Sequence, residues 1–149
     1  SVTAASSLTY LNTAGSSFVI TGSVSALTAC ATIQCATGVA FNCSGDLSAL
    51  SALKSLYAPT GSSTLTYPTS SGARSWPAGM NQIYLRSQTL PTASIVALLA
   101  DLAAQSVWTG SKVVNLKAIN SSEAASAQTS AAAAISSLQG NGVAVTVSA

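Results

Sequence analysis

Histidine is absent from the chain, and with it go the commonest general base and the commonest metal ligand. Catalytic triads and zinc sites of the usual kind are thereby excluded. The carboxylates are Asp46, Asp101 and Glu123, and each falls in a different segment. A glycosidase-type pair needs two carboxyl groups about 5–9.5 Å apart, so distant segments would have to converge to build one. Cys30, Cys35 and Cys43 lack the paired spacing of a zinc site and have no evident fourth ligand. Ser51-Ala52-Leu53-Lys54 matches the Ser-x-x-Lys pattern in which a lysine activates a hydroxyl. Its companion Ser-Asp-Asn and Lys-Thr-Gly motifs are missing, and a serine-rich chain produces such a match by composition. The glycines make neither a phosphate loop nor a dinucleotide fingerprint. Asn42-Cys43-Ser44 and Asn120-Ser121-Ser122 fit glycosylation acceptors, which matters only for a eukaryotic secreted source. No enzymatic activity and no cofactor are expected.

The constellation that remains belongs to binding, and a repeated phrase must position it. The phrase is an apolar residue, two variable ones, a second apolar residue, one variable and a small or apolar one. It occurs in Leu8-Thr9-Tyr10-Leu11-Asn12-Thr13, Cys30-Ala31-Thr32-Ile33-Gln34-Cys35, Leu53-Lys54-Ser55-Leu56-Tyr57-Ala58 and Met80-Asn81-Gln82-Ile83-Tyr84-Leu85. Ser111-Lys112-Val113-Val114-Asn115-Leu116 is a looser copy, and Val143-Ala144-Val145-Thr146-Val147 closes the series. The markers Leu11, Ile33, Leu56, Ile83, Val114 and Val143 follow one another at steps of 22, 23, 27, 31 and 29 residues. Such a period predicts a solenoid in which every unit adds one strand to a growing sheet.

Side chains alternate faces along a strand. With the markers inward, one outward column reads Asn12, Gln34, Tyr57, Tyr84, Asn115 and Ala144. The column before it reads Tyr10, Thr32, Ser55, Gln82, Val113 and Gly142, while Arg86 and Lys117 stand two residues after Tyr84 and Asn115. Tyrosine and amide side chains with one or two cations suit contact with sugar or protein, because aromatic bodies provide area and amides provide direction. Tyr57, Tyr84, Gln82, Asn115, Arg86 and Lys117 are the expected binding residues. An ordinary solvated sheet face is the alternative.

The early units carry turn residues between their strands, as in Asn12-Thr13-Ala14-Gly15-Ser16-Ser17 and Asn42-Cys43-Ser44-Gly45-Asp46. Leu47, Leu50 and Leu53 recur at three-residue steps and predict one or two helical turns. Gly61 to Gly72 reads as a loop. In the later units Ile95, Leu98, Leu99 and Leu102 fall on one helical face after Pro91 and Thr92. A second helix is predicted from about Ser122 to Leu138, with Ala124, Ala127, Ala131, Ile135 and Leu138 inward. Ser121 or Ser122 is its expected cap, Glu123 favours its first turn and Gly140-Asn141-Gly142 stops it. The fold expected is a single-domain α/β solenoid over residues 1–149 with about six parallel strands, turns in the N-terminal units and helices in the C-terminal ones. Its last strand, Val143 to Val147, has neither charge nor proline to blunt a free edge.

Charged residues make up 5% of the chain, where a soluble domain has about 25%. Five scattered cations form no basic stripe, so nucleic acid is not an expected partner. Either much of the surface faces other subunits or its hydroxyls solvate it. Membrane insertion is not expected, since no apolar run approaches the roughly 20 residues a spanning helix needs. The N-terminus lacks the order of a signal peptide, and the expectation is a soluble chain from which any signal has been removed. Three cysteines allow at most one internal disulfide. Cys30 and Cys35 fall on inward columns, and all three thiols are expected to be reduced.

Leu8-Thr9-Tyr10-Leu11-Asn12-Thr13-Ala14-Gly15 resembles a leucine-rich-repeat strand and its turn. From Ile83-Tyr84-Leu85-Arg86 through the two helices to Leu138-Gln139-Gly140-Asn141-Gly142-Val143, the chain resembles an irregular leucine-rich repeat of phage and prophage tail-fibre or virion-surface proteins and of some bacterial surface proteins. Thr13, Cys35 and Ala58 depart from that pattern by replacing its third leucine. The resemblance implies a non-enzymatic structural or adhesion protein of a virion surface, such as a tail-fibre tip, spike or capsid decoration. Its partners would be other virion subunits or a host-surface glycan or protein, and it would be a homo-oligomer. A secreted recognition module that binds glycan or protein as a monomer is the alternative.

Overall fold

The computed structural model describes residues 5–14, 19–69, 75–104 and 107–149. The end of the turn expected at Gly15-Ser16-Ser17 and the end of the loop expected to reach Gly72 lie outside them. Nine strands and three α-helices are found among the described residues. The strands are β1 (Tyr10–Asn12), β2 (Val19–Ser23), β3 (Thr32–Gln34), β4 (Ala40–Asp46), β5 (Ser55–Tyr57), β6 (Thr64–Thr66), β7 (Met80–Leu90), β8 (Trp108–Ala118) and β9 (Ala144–Ser148). The helices are α1 (Thr92–Ala103), α2 (Ser121–Ser130) and α3 (Ala132–Gly140). All the pairings are parallel, giving a curved parallel sheet of α/β type.

The expected ladder exists, and a second one accompanies it. β1, β3 and β5 pair in turn, β2, β4 and β6 pair in turn, and the two series meet on β7. Beyond that point β8 and β9 each run as single strands. The sheet therefore has three strands more than the single series of six predicted. β6 lies inside the segment expected to be a loop, where Ser63, Leu65 and Tyr67 are buried between exposed Thr64 and Thr66.

Two rows of register show how the ladders merge. The first row is Tyr10, Thr32, Ser55, Gln82, Val113 and Ala144, and the second is Ser23, Ser44, Thr64, Thr89, Lys117 and Ser148. Within each pass of the chain these rows are separated by 13, 12, 9, 7, 4 and 4 positions. The front of the sheet thus shortens as the return path lengthens from short turns to helices. Crossovers of this kind are what parallel pairing requires. In β7 the slip of register between Tyr84 and Thr89 absorbs the difference.

The inward row is Leu11, Ile33, Leu56, Ile83, Val114 and Val145. Val145 replaces the expected Val143. Gly142 has φ +76°, and Gly142 N and Val143 N donate to the carbonyls of Gln139 and Leu138. That is a Schellman stop. It spends Val143 on ending α3, and although Val143 is buried, the strand begins after it.

The helical turn predicted at Leu47 is a 3-10 turn, in which Leu50 N and Leu53 N donate to the carbonyls of Leu47 and Leu50. Val24, Leu27 and Cys30 repeat it one pass earlier. Ser23 and Asp46 cap these two turns by accepting from Ser25 N and Ser48 N. Ile95, Leu98, Leu99 and Leu102 of α1 are fully buried as predicted. The second predicted helix is divided at Ala131 into α2 and α3, after Thr129 Oγ1 donates back to the Ala125 carbonyl. Such back-bonding competes with the helix ladder and bends it. Its cap is Asn120, whose Oδ1 accepts from Glu123 N, and Ser121 and Ser122 are already helical. Ala124, Ala127, Ala131 and Leu138 are buried, with Ile135 partly so.

Ile83 is flanked in register by Leu56 and Val114 and is fully enclosed. Replacing it with alanine should lower stability by about 2–5 kcal/mol in urea unfolding, the usual result of a poorly collapsing cavity. A loss well below 1 kcal/mol would contradict the packed row.

Candidate functional site

Three strands bring four of the six expected binding residues together. Tyr57 on β5 and Tyr84 on β7 are register partners, and Asn115 on β8 is the next in that row. Gln82 precedes Tyr84 by two residues on the same strand face and pairs in register with Ser55 and Val113. The complete row is Asn12, Gln34, Tyr57, Tyr84, Asn115 and Thr146. It contains no charge. Thr146 takes the place expected for Ala144, because the last strand is registered on Val145.

The two tyrosine rings stack with centroids 4.9 Å apart and planes inclined by 24°. That distance is the spacing of neighbouring strands, so the backbone ladder itself imposes the stack. Each ring turns one face to the other, with Gln34 and Asn115 next along the row on the outer sides. Both rings are consequently half-buried rather than laid flat on the surface. They offer solvent edges and phenol groups, suited to hydrogen bonding at the rim of a ligand more than to stacking beneath one. Asn115 Oδ1 is buried without a hydrogen-bond partner, and Tyr10 Oη at the start of the sheet accepts from Asn12 Nδ2.

Arg86 and Lys117 do not border this row as an equivalent pair. The register partner of Lys117 is Thr89, while Arg86 sits exposed inside the slip of β7. Counting two residues beyond Tyr84 and Asn115 failed because β7 takes five residues to cover what β8 covers in two. Lys117 instead joins the hydroxyl row of Ser23, Ser44, Thr64, Thr89 and Ser148. This second outward row went unpredicted, although the alternation from Ser63 to Tyr67 signalled it.

The ionisable groups named in the sequence serve local structure. Asp46 caps its turn, Asp101 Oδ2 accepts from Tyr67 Oη at 2.6 Å and Glu123 Oε2 accepts from Thr92 Oγ1 at 3.0 Å. Trp76 Nε1 donates to Tyr67 Oη and stacks on that ring, tying the segment before β7 to α1. Ser51 Oγ donates to the Thr28 carbonyl, while Lys54 is exposed. The described residues hold no cluster of three or more potential metal ligands and no helix long and apolar enough to cross a membrane.

All three cysteines are free and buried. Cys30 packs at the end of its 3-10 turn, with Sγ donating to the Thr32 carbonyl, and burial raises its pKa. Burial also pushes the thiols of Cys35 and Cys43 up to about 11, and Cys35 adds to the effect at Cys43. These thiols are packing groups in the reduced state.

No family model, no curated protein and no solved structure matches this chain.

A thiol titration in denaturant without reductant should find three reactive groups, and the native protein should react slowly. Finding one group would reveal a disulfide. For Cys35 and Cys43 the folded pKa of about 11 lies above the ordinary 9.0, so the folded state holds its protons longer. Their contribution is complete below about pH 9 and is lost as pH rises through about 11. Unfolding midpoints measured across that window should fall, and the fall should diminish in a Cys35→Ala, Cys43→Ala protein.

Proposed function

We propose that this chain is a non-enzymatic structural and adhesion protein of a virion surface. In this reading it is a short leucine-rich-repeat-like solenoid that presents a rigid face to a host surface or to neighbouring subunits. The observation that carries the proposal is the Tyr57 and Tyr84 stack, set by strand spacing in the middle of an uncharged outward row. Side chains fixed before contact lose little freedom on binding. Amides on both sides of the stack give directional contacts without the desolvation cost of charge. A steady register through six passes supports the repeat reading, and the scarcity of charge suits a surface that meets other surfaces.

The decisive experiment compares the wild-type chain with two double variants in binding to glycan arrays and to isolated cell envelopes. Tyr57→Phe with Tyr84→Phe keeps the stack and removes both phenol hydroxyls. Tyr57→Ala with Tyr84→Ala removes the stack, which contributes about 0.5–1.5 kcal/mol beyond its area. Attachment or assembly should weaken about tenfold or more in the alanine pair, and by a smaller factor in the phenylalanine pair, with circular dichroism unchanged. Unaltered attachment and assembly by the folded alanine pair would reject this face. Virion assembly genes beside the coding sequence would favour the virion reading over a secreted monomeric recognition module.

A further inference from the structure

A crevice opens where β7 ends. β6 stays paired with β4 as far as Asp46 and Thr66, but its pairing with β7 is the single step of Thr64 with Thr89. On the other side β8 keeps pace with β7 as far as Leu90 and Ala118. β7 then stops because Pro91, with φ −59° and no N–H to donate, turns the chain into α1. Thr66 and Ile119 are thereby left on either side of the strand end, and both line an open crevice of about 210 Å³. It lies at the carboxyl ends of the parallel strands β6, β7 and β8, the end at which α/β sheets take their ligands.

We propose that this crevice is a binding site for one neutral sugar ring. Its lining supplies the two kinds of surface that such a ring has. Hydroxyls come from Ser63, Thr64 and Thr66 on the β6 side and from Thr89 on β7. A hydroxyl both donates and accepts, so a set of them matches the mixed donors and acceptors of a sugar edge. Leu65, Pro91 and Ile119 supply apolar surface, which suits the C–H face of the ring. Ile119 is 56% exposed, and a ring seated beside it would cover it. Ser63 adds an independent sign of a ligand. It is only 8% exposed, and its Oγ has no hydrogen-bond partner in the chain. The same holds for Oε1 of the fully buried Gln88, the residue before Thr89. Unmatched polar groups are costly inside a protein, and a ligand hydroxyl at the floor of the crevice satisfies the serine.

The same lining matches other small ligands poorly. It carries no charged residue. The charges beside it are of opposite sign, Lys117 next to Thr89 in register and Asp46 next to Thr66, while Glu123 reaches the start of α1 through its bond with Thr92. A phosphate or carboxylate therefore gains no positive field. A nucleobase finds no aromatic side chain to stack on. A wholly apolar ligand would strip water from the hydroxyls and return no hydrogen bond. The volume is below the roughly 300–1,000 Å³ of sites for larger ligands, so it suits a single ring.

The test is a nuclear magnetic resonance titration of the isotopically labelled chain with glucose, galactose, mannose, fucose and N-acetylglucosamine. At least one sugar should give a saturable response in the millimolar range, the strength expected of about a dozen heavy atoms. The shifted amides should be those of Ser63, Thr64, Thr66, Thr89 and Ile119 and their neighbours. Thr66→Val with Thr89→Val keeps shape and strand propensity while removing two hydroxyls, and should weaken the response at least tenfold. Ile119→Ala should weaken it at least threefold, and because that side chain is exposed it decides if the valine pair does not fold. Inorganic phosphate and cyclohexanol, a probe of each rival chemistry, should bind the crevice at least tenfold more weakly than the best sugar. The proposal is overturned if no sugar of the panel binds, if phosphate or cyclohexanol binds the crevice as well as the best sugar, or if the folded variants bind unchanged. Sugar shifts confined to the Tyr57 and Tyr84 row would also overturn it while supporting that row as the attachment face, so the two proposals fail separately.

Discussion

A parallel strand finds its neighbour only if the chain first returns to the end of the sheet where it began, and this requirement shapes the whole molecule. Every pass must contain a return path, and the path must cover the inward side of the strand just laid. The early passes return through 3-10 turns built on Val24, Leu27 and Cys30, and then on Leu47, Leu50 and Leu53. The late passes return through α1 and through α2 with α3. In both regions buried apolar side chains meet the row of Ile33, Leu56, Ile83 and Val114.

The lengthening returns are matched by a shrinking front. Two strands per pass become one as the corner between them is drawn in, and β7 is where the change occurs. Gly61, at φ +117°, belongs to the last separate corner, where an added Cβ would collide with the Phe41 backbone. Gln88, fully buried in the slip of β7, donates to the Thr60 carbonyl across the same corner. Polar groups inside this region hold a backbone that regular ladder bonds do not reach.

The same ladder gives the outward rows their properties. Tyrosines one strand apart must stack, since their Cα atoms are held at strand spacing and their neighbours fill the remaining space. The tyrosine face stands on two strands paired in register, β5 and β7. On β9, Val145 is only partly covered and lines an uncharged groove.

The chain's own pattern determined a great deal. The markers from Leu11 to Val114 fell in register, the face of α1 was complete, and Tyr57, Tyr84, Gln82 and Asn115 came together because a constant phrase with period-two alternation specifies which residues share a row. Local chemistry was less decisive where two signals overlapped. Val143 belonged equally to an apolar alternation and to a glycine stop, and the Schellman bonds to Leu138 and Gln139 claimed it. Asn120 displaced the serines beside it as the cap. The second ladder was hidden by composition, since Ser, Thr and Gly around Leu65 and Tyr67 look like a loop until a neighbouring strand supplies hydrogen bonds. Arg86 and Lys117 were separated by the slip in β7, which no single-strand count can reveal. Sequence spacing determined what faces inward and which residues recur. Only the tertiary structure decided how many residues each strand spends between two rows, because that depends on the hydrogen bonds available from the strand next to it.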